Sequence, residues 1–395
     1  MRFVALLVFI AALDLRGQTI PESVQKLPEA DLKKGIAFTG HGGQLTFAIQ
    51  TDRDPALFVD DRPAPKVQHS AGTAWVDTNL TTGRTHSFYW MIDGARFGGK
   101  TDVAAWGEDA YQHPGVPEGA LTAKLLHTSE IYKGMKSDYW VYAAAGYDPK
   151  TPAAVMIWQD GEVNIDRTAQ SHTLNVIDNL THQKRIPALI HIFISPGTIG
   201  EQKMRSIEYD TVDDRYPRFL RDEIVPEISK HYNLRRDGYS RAIIGESSGA
   251  ICAFNAAWQM PEEFTRVVSR IGSFTSIQWK PNQLDGGQSY PNKIRKEPKR
   301  NIRVWLQDGL EDLENDHGSW PLQNIQMANS LKLKGYDFRF MFGNGTHTRL
   351  GGQAEAPAEL EWIWRGYDPA KTEEIFTPDP AEKDRPFYRV TSLNR

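Results

Sequence analysis

Cysteine is almost absent: the 395-residue chain holds one, Cys252. No intramolecular disulfide can form, so stability has to come from a packed core. An excess of one charge is also lacking. The 46 Lys and Arg stand against 50 Asp and Glu, a net charge of -4 at pH 7, and electrostatic capture of nucleic acid is not expected. After about residue 18 no apolar run is long enough to cross a bilayer. The long apolar run lies at the start, over 3–13, behind Met1-Arg2 and ahead of Asp14, Arg16 and Gly17-Gln18. One early positive charge and a short apolar run read as a secretory signal over 1–17. Its removal leaves no stable membrane insertion, and no cysteine follows it to carry a lipid anchor. A secreted chain without disulfides suggests a bacterial periplasmic or extracellular protein. No grouping of His, Cys and carboxylates stands at ligand spacing, so no metal or organic cofactor is expected.

What is present fits two folded domains. The chain is long for one domain, and 40% hydrophobic with 24% charged residues is an ordinary soluble balance. From 35 to 119 the signals are strand-like. Residues 44–50 alternate polar and apolar with period two, 57–59 and 73–76 are short strands, and 88–97 reads as a hairpin turning at Asp93-Gly94. This predicts a small β-sandwich over 18–120. Trp75, Trp90, Trp106 and Tyr111 are read as packing residues there, with a sugar platform as the alternative.

From 121 to 368 the pattern changes. Strands are expected at 122–128 and 139–143, and continuous apolar runs at 153–158 and 189–194 predict strands buried on both faces. Helical spacing over 219–228 leads to a strand at 241–244. Further strands are expected at 267–273, 302–306 and 336–342, with helices at 322–333 and from 359. Alternating buried strands and helices predict an α/β domain with a mostly parallel sheet. The charged, proline-containing tail, 369–395, is expected at the surface.

The chemistry centres on Gly245-Glu246-Ser247-Ser248-Gly249. Strand, G-x-S-x-G and helix make the pattern of a nucleophile elbow, in which a tight turn presents the serine above the sheet edge. The flanking glycines are needed because strand and helix approach closely. A serine hydroxyl needs a base within reach, and the base needs an orienting carboxylate. Both follow in the order serine, acid, histidine. Asp308, Glu311 and Asp312 follow one strand, and Gly343-Asn344-Gly345-Thr346-His347 follows the last. His347 is the expected base among eleven histidines. His317 shares the acid loop, and His191 sits inside a predicted strand. The spacing leaves the acid open between Asp308 and Asp312. Oxyanion donors are expected from Ser248 and from Gly161 or Glu162. Trp279, Tyr290, Trp320 and Arg205 are candidates for walls of a substrate pocket, with a structural role as the competing reading.

From about 133 to 365 the chain resembles the esterase D-like α/β-hydrolases, a group with enterochelin, feruloyl and acetyl-xylan esterases. The resemblance rests on Tyr139-Trp140-Val141-Tyr142, Ile157-Trp158-Gln159-Asp160-Gly161 and Arg205-Ser206-Ile207-Glu208-Tyr209-Asp210. It continues through the 245–249 elbow, Ile271-Gly272-Ser273-Phe274, 307–312 and 343–347. It implies an α/β-hydrolase behind a β-sandwich, Asp312 as the acid and Gly161 in the oxyanion hole. Where enterochelin esterases carry an aromatic residue after Gly-Ser-Phe, this chain has Thr275-Ser276, which speaks against a siderophore. The expected activity is hydrolysis of a small-molecule or glycan ester, of acetyl or feruloyl type. A siderophore esterase, an acyltransferase and a non-catalytic glycan binder are the alternatives. The oligomeric state is left open.

Overall fold

In the computed structural model, which describes residues 19–389, the two continuous apolar runs are neighbouring parallel strands, Val155–Gln159 and Ile190–Ile194. The expected signal segment lies outside the described residues. Alternate side chains of each strand enter different cores. Val155 and Ile157 join one apolar cluster, whereas Met156 and Trp158 join the other. Burial on both faces is why the strands are apolar apart from His191 and the terminal Gln159. Each large side chain so buried contributes on the order of 2 kcal/mol.

These strands lie within a large sheet whose path runs Met135–Ala143, Ile190–Ile194, Val155–Gln159, Arg241–Glu246, Arg266–Arg270, Arg303–Glu311 and Asp337–Thr346. All neighbours from Ile190–Ile194 onwards are parallel, and Met135–Ala143 is antiparallel. Helices cover both faces, so the architecture is the expected α/β-hydrolase. Ser248–Gln259 is apolar nearly all round and is buried from Ser248 to Trp258, as a helix enclosed by sheet and neighbours must be. Tyr290–Lys296 and Trp320–Leu333 pack together. Thr173–His182 and Ala356–Trp364 close the opposite face.

Short strands Ala120–Leu121, Leu125–Ser129, Thr198–Ile199 and Gln202–Lys203 extend the large sheet beside Met135–Ala143, and Glu314–Asn315 pairs with Gly318–Ser319 apart from it. Ahead of these in the chain are two four-stranded sheets, as expected of a sandwich. One runs Ala37–His41, Gln44–Gln50, Thr73–Asn79, Gln68–Ser70. The other runs Arg62–Pro63, Pro55–Val59, Arg84–Ile92, Ala95–Ala105. Phe47 and Phe88 meet at 4.5 Å between ring centres, and Trp75 and Trp90 are fully buried, which makes both tryptophans packing residues. The hairpin turns at Asp93 (φ 51°) and Gly94 (φ 78°), the left-handed pair a tight two-residue turn requires.

Three boundaries differ from the sequence expectation. Two short helices, Glu22–Gln25 and Glu29–Lys34, precede the strands. The chain divides into one unit up to Leu80 together with Phe88–Lys100, and a second of Thr81–Ser87 with everything from Thr101 on. Residues 101–120 therefore belong to the catalytic unit. The tail up to residue 389 is packed, not loose: Phe376 is buried, Asp379 accepts a 2.6 Å hydrogen bond from Trp362 Nε1, and Asn329 Nδ2 binds the Tyr388 carbonyl.

Candidate active site

Ser247 sits between strand Arg241–Glu246 and helix Ser248–Gln259 with φ 57° and ψ −121°. A serine holds such angles only where its surroundings enforce them. A Cβ on Gly245 would lie 2.1 Å from the Gly249 carbonyl oxygen, so the close passage of strand and helix admits only glycine there. The Ser247 N–H donates to the Arg270 carbonyl, and the Ser273 N–H donates to the Ser247 carbonyl. The turn is thereby fastened to the next strand.

The structure brings Ser247, His347 and Asp312 together. His347 Nε2 is 2.9 Å from Ser247 Oγ, and Nδ1 is 2.5 Å from Asp312 Oδ1. The adjacency of acid and base comes from strand pairing. Parallel strands Arg303–Glu311 and Asp337–Thr346 stay paired as far as Glu311 opposite Thr346, past an irregularity after Gly309. Asp312 and His347 are the next residues on each. The stretches 307–312 and 343–347, expected as loops, are thus largely strand.

Asp308 is fully buried and does not reach His347; its Oδ1 accepts the Gly309 N–H. Burial, and then the hydrogen bond and charge of Asp312, push its pKa well above the ordinary carboxyl range. His191 is buried in its strand, accepts from Trp158 Nε1, and is pushed down to about 3 by burial. It is a neutral core residue. Cys252 is buried, and burial raises its thiol pKa well above the ordinary value.

Ser248 opens its helix, whose first N–H groups have no partner within the helix. Gly161 follows strand Val155–Gln159, and a Cβ there would fall 2.4 Å from Ile194 N. Asp160 before it is left-handed, φ 50°. Arg205 grips Asp160 with two bonds of 2.8 and 2.7 Å. Arg205 lines the cavity at Ser247, yet its guanidinium is committed to fixing this turn. Beside Ser248, Asp210 accepts from Ser206 Oγ and is pushed up to about 6, chiefly by burial.

The other pocket candidates separate. Trp320 is buried, its ring edge on His347 at 5.7 Å and its Nε1 on Ser273 Oγ at 3.0 Å. Trp279 is half exposed. Tyr290 is a correction. It is fully buried among Phe254, Trp258 and Phe274, with its hydroxyl on Asn255. Its side chain completes the core under the elbow helix and cannot face a substrate.

A cavity of about 250 Å³ over the serine is lined by Arg205, Glu246, Ser247, Ile271, His347 and Arg349. Sequence reasoning missed several of these. Ile271, β-branched, holds φ 45°, a strained angle for its type. Glu246 bridges Arg270 (3.0 Å) and Arg349 (3.3 Å), and Arg270 also binds the buried Glu359. Ser273 Oγ lies 3.2 Å from Ser247 Oγ. The Gly-Ser-Phe stretch carried a signal for Ser273. Glu246 and Ile271 stand within the 245–249 and 271–274 motifs with no role read for them, and nothing local marks Arg349 or Glu359.

Comparison with known proteins gives the family and the fold. The family model described as "Putative esterase" matches residues 133–360, more than half of the chain. The chain is 21% identical over 374 residues to the iron(III) enterobactin esterase of Dickeya dadantii, spanning 89% of this chain and 81% of that one. The enterobactin esterase of Shigella flexneri superposes with a TM-score of 0.55 at 15% identity, covering 83% of this chain and 96% of its own. A ferulic acid esterase from the fungus Anaeromyces mucronatus superposes with a TM-score of 0.51 at 15% identity, covering 65% and 94%. At these identities the superpositions establish the fold, and the family match establishes the rest: the chain belongs to the Esterase family of carboxylic ester hydrolases.

Proposed function

We propose that the protein is a secreted or periplasmic serine esterase that acts through Ser247, His347 and Asp312, by way of an acyl-enzyme, on carbohydrate-linked esters of acetyl or feruloyl type. The observation that carries this reading is the unbroken chain from Ser247 Oγ through the His347 ring to Asp312 Oδ1. Ser247 Oγ attacks the ester carbonyl while His347 Nε2 takes its proton. Asp312 holds the Nδ1 proton and stabilises the imidazolium. The N–H groups of Ser248 and Gly161 receive the tetrahedral oxyanion. The C–O bond then breaks, and the alcohol leaves with the proton from His347. Water, deprotonated by the same nitrogen, hydrolyses the acyl-enzyme and restores Ser247.

Hydrogen-bonding side chains on the wall of a neighbouring recess, set among apolar Val163, Ala169 and Leu350, support an alcohol that carries hydroxyls. A second recess of about 560 Å³ shares Arg349 with the first and includes Glu162, Asp166, Gln170, Ser171 and Gln353. The apolar run behind Arg2 supports export. A siderophore ester is the second reading, favoured by the likeness to an enterobactin esterase over 89% of the chain.

The test is hydrolysis of acetyl, butyryl, feruloyl-sugar, acetylated-xylan and enterobactin esters by the wild type and Ser247→Ala. The variant is expected to lose activity by about 10⁶-fold, with a sugar ester the best substrate. Enterobactin as the best substrate would replace the carbohydrate reading. Equal rates in variant and wild type would remove Ser247 from the mechanism.

A further inference from the structure

The segment that carries His347 has little of its own to hold it. Gly343, Asn344, Gly345 and Thr346 lead to it, none with an apolar side chain to bury, and the backbone there is only half-buried. Beyond the strand pairing that ends with Glu311 opposite Thr346, its side-chain fixation comes from a residue far back in the chain. Asp102, near the end of strand Ala95–Ala105 and within the catalytic unit, is 6% exposed. Its Oδ2 accepts three hydrogen bonds: from the Thr346 N–H at 2.9 Å, the Thr346 hydroxyl at 2.9 Å and the Thr348 hydroxyl at 2.7 Å. Those two threonines flank His347.

We infer that Asp102 is a positioning residue for the esterase reaction, fixing the backbone of His347 from behind while Asp312 fixes its ring. This rests on the reading of His347 as the base. Every partner of Asp102 Oδ2 is an N–H or O–H group that donates to it. Downstream, the Thr85 hydroxyl donates to the Leu350 carbonyl at 2.8 Å, and Arg349 meets Glu246. These hold the exit of the segment but do not touch its two residues beside His347. Only Asp102 grips both sides of the histidine among the bonds described. A base displaced by about 1 Å can lose on the order of 10²-fold in rate. Asp102 touches neither substrate nor reacting atom, so its removal should act on kcat and leave binding in place.

The test uses the full chain with Asp102→Ala, Asp102→Asn, Thr348→Val and, as a control in the same unit, Thr85→Val. A chromogenic acetyl ester gives kcat and KM across pH, and a fluorophosphonate gives the rate of Ser247 capture. Asp102→Ala is expected to lower kcat and the capture rate by about 10²-fold, with KM changed less than about twofold. Its kcat profile is expected to shift on the acid limb, because a displaced imidazolium loses part of its bond to Asp312. Asp102→Asn retains an acceptor oxygen and should recover part of the rate. Thr348→Val should lower kcat by a few-fold, the worth of one hydrogen bond. Thr85→Val should leave kcat, KM and the acid limb near wild type.

A folded Asp102→Ala with wild-type kcat and acid limb overturns the inference. If Asp102→Ala does not fold, wild-type kcat in Thr348→Val together with Asp102→Asn overturns it instead. A wild type that neither hydrolyses the ester nor reacts with the fluorophosphonate rejects the esterase mechanism itself, and this inference with it. An active wild type with indifferent variants rejects the inference alone.

Discussion

Two aspartates four positions apart sit in different environments, and the difference decides which can orient the base. Asp312 reaches His347, whereas Asp308 is sealed beneath it, with Oδ2 unpartnered, as is Oδ2 of Asp312. Burial raises the pKa of Asp308 well above the ordinary carboxyl range. Asp312→Asn is therefore expected to cost about 10⁴-fold in kcat, because the amide presents a donor where the imidazole needs an acceptor. Asp308→Asn alters a residue that does not reach His347 and should cost less than about tenfold, the worth of one hydrogen bond. Ester hydrolysis by the two variants side by side checks this, and the reverse ranking would exchange their roles. At this scale, chain order and the elbow made Ser247 and His347 legible as candidates, but both aspartates follow the same strand and the residues alone could not separate them. Tyr290 was misread because an aromatic side chain carries no local sign of whether it will face solvent or core. Asp102 was not legible at all, since its partners lie some 245 positions away.

The strand pair Arg303–Glu311 and Asp337–Thr346 is the element that sets the acid beside the base. Its glycines serve different ends. A Cβ on Gly309 would stand 2.1 Å from the Gly345 carbonyl oxygen, whereas a Cβ on Gly343 would meet nothing within 4 Å. Gly309→Ala must therefore push the strand ends apart, at about 1–3 kcal/mol of stability and about 10²-fold in kcat through the displaced base. Gly343→Ala should leave both melting temperature and kcat near wild type. Thermal melts and rates measured on the two variants test the point; equal tolerance would mean that the pairing does not set the geometry. Local composition hid this element. Glycine and asparagine are turn residues by propensity, and the strands run on only because each finds the other. The same holds at 267–273, read as one strand, which ends at Arg270 because Ile271 turns to positive φ beside the serine. Buried runs such as 153–158 were legible because burial on both faces leaves a continuous apolar signature.

Over the whole molecule, the change from period-two alternation to alternating buried strands and helices marked a sandwich followed by an α/β-hydrolase, and both are present. The division between them was less legible. Strand Ala95–Ala105 passes from one unit to the other, and its only local mark is Gly98-Gly99 just ahead of Thr101, with no proline or linker-like run to set the two apart. The tail misled for a related reason. Its charges and prolines resemble a solvated segment, yet Asp379 and Glu382 find Trp362 and Tyr388, pairings that composition does not encode. The central claim is that this assembly activates one serine, and covalent capture tests it most directly. The full chain would be treated with a fluorophosphonate and the adduct located by peptide mass spectrometry, for wild type, Ser247→Ala and His347→Ala. One adduct per chain on Ser247, absent from Ser247→Ala and formed far more slowly in His347→Ala, is the predicted result. An adduct elsewhere, or capture of Ser247 at an undiminished rate without His347, would contradict the account.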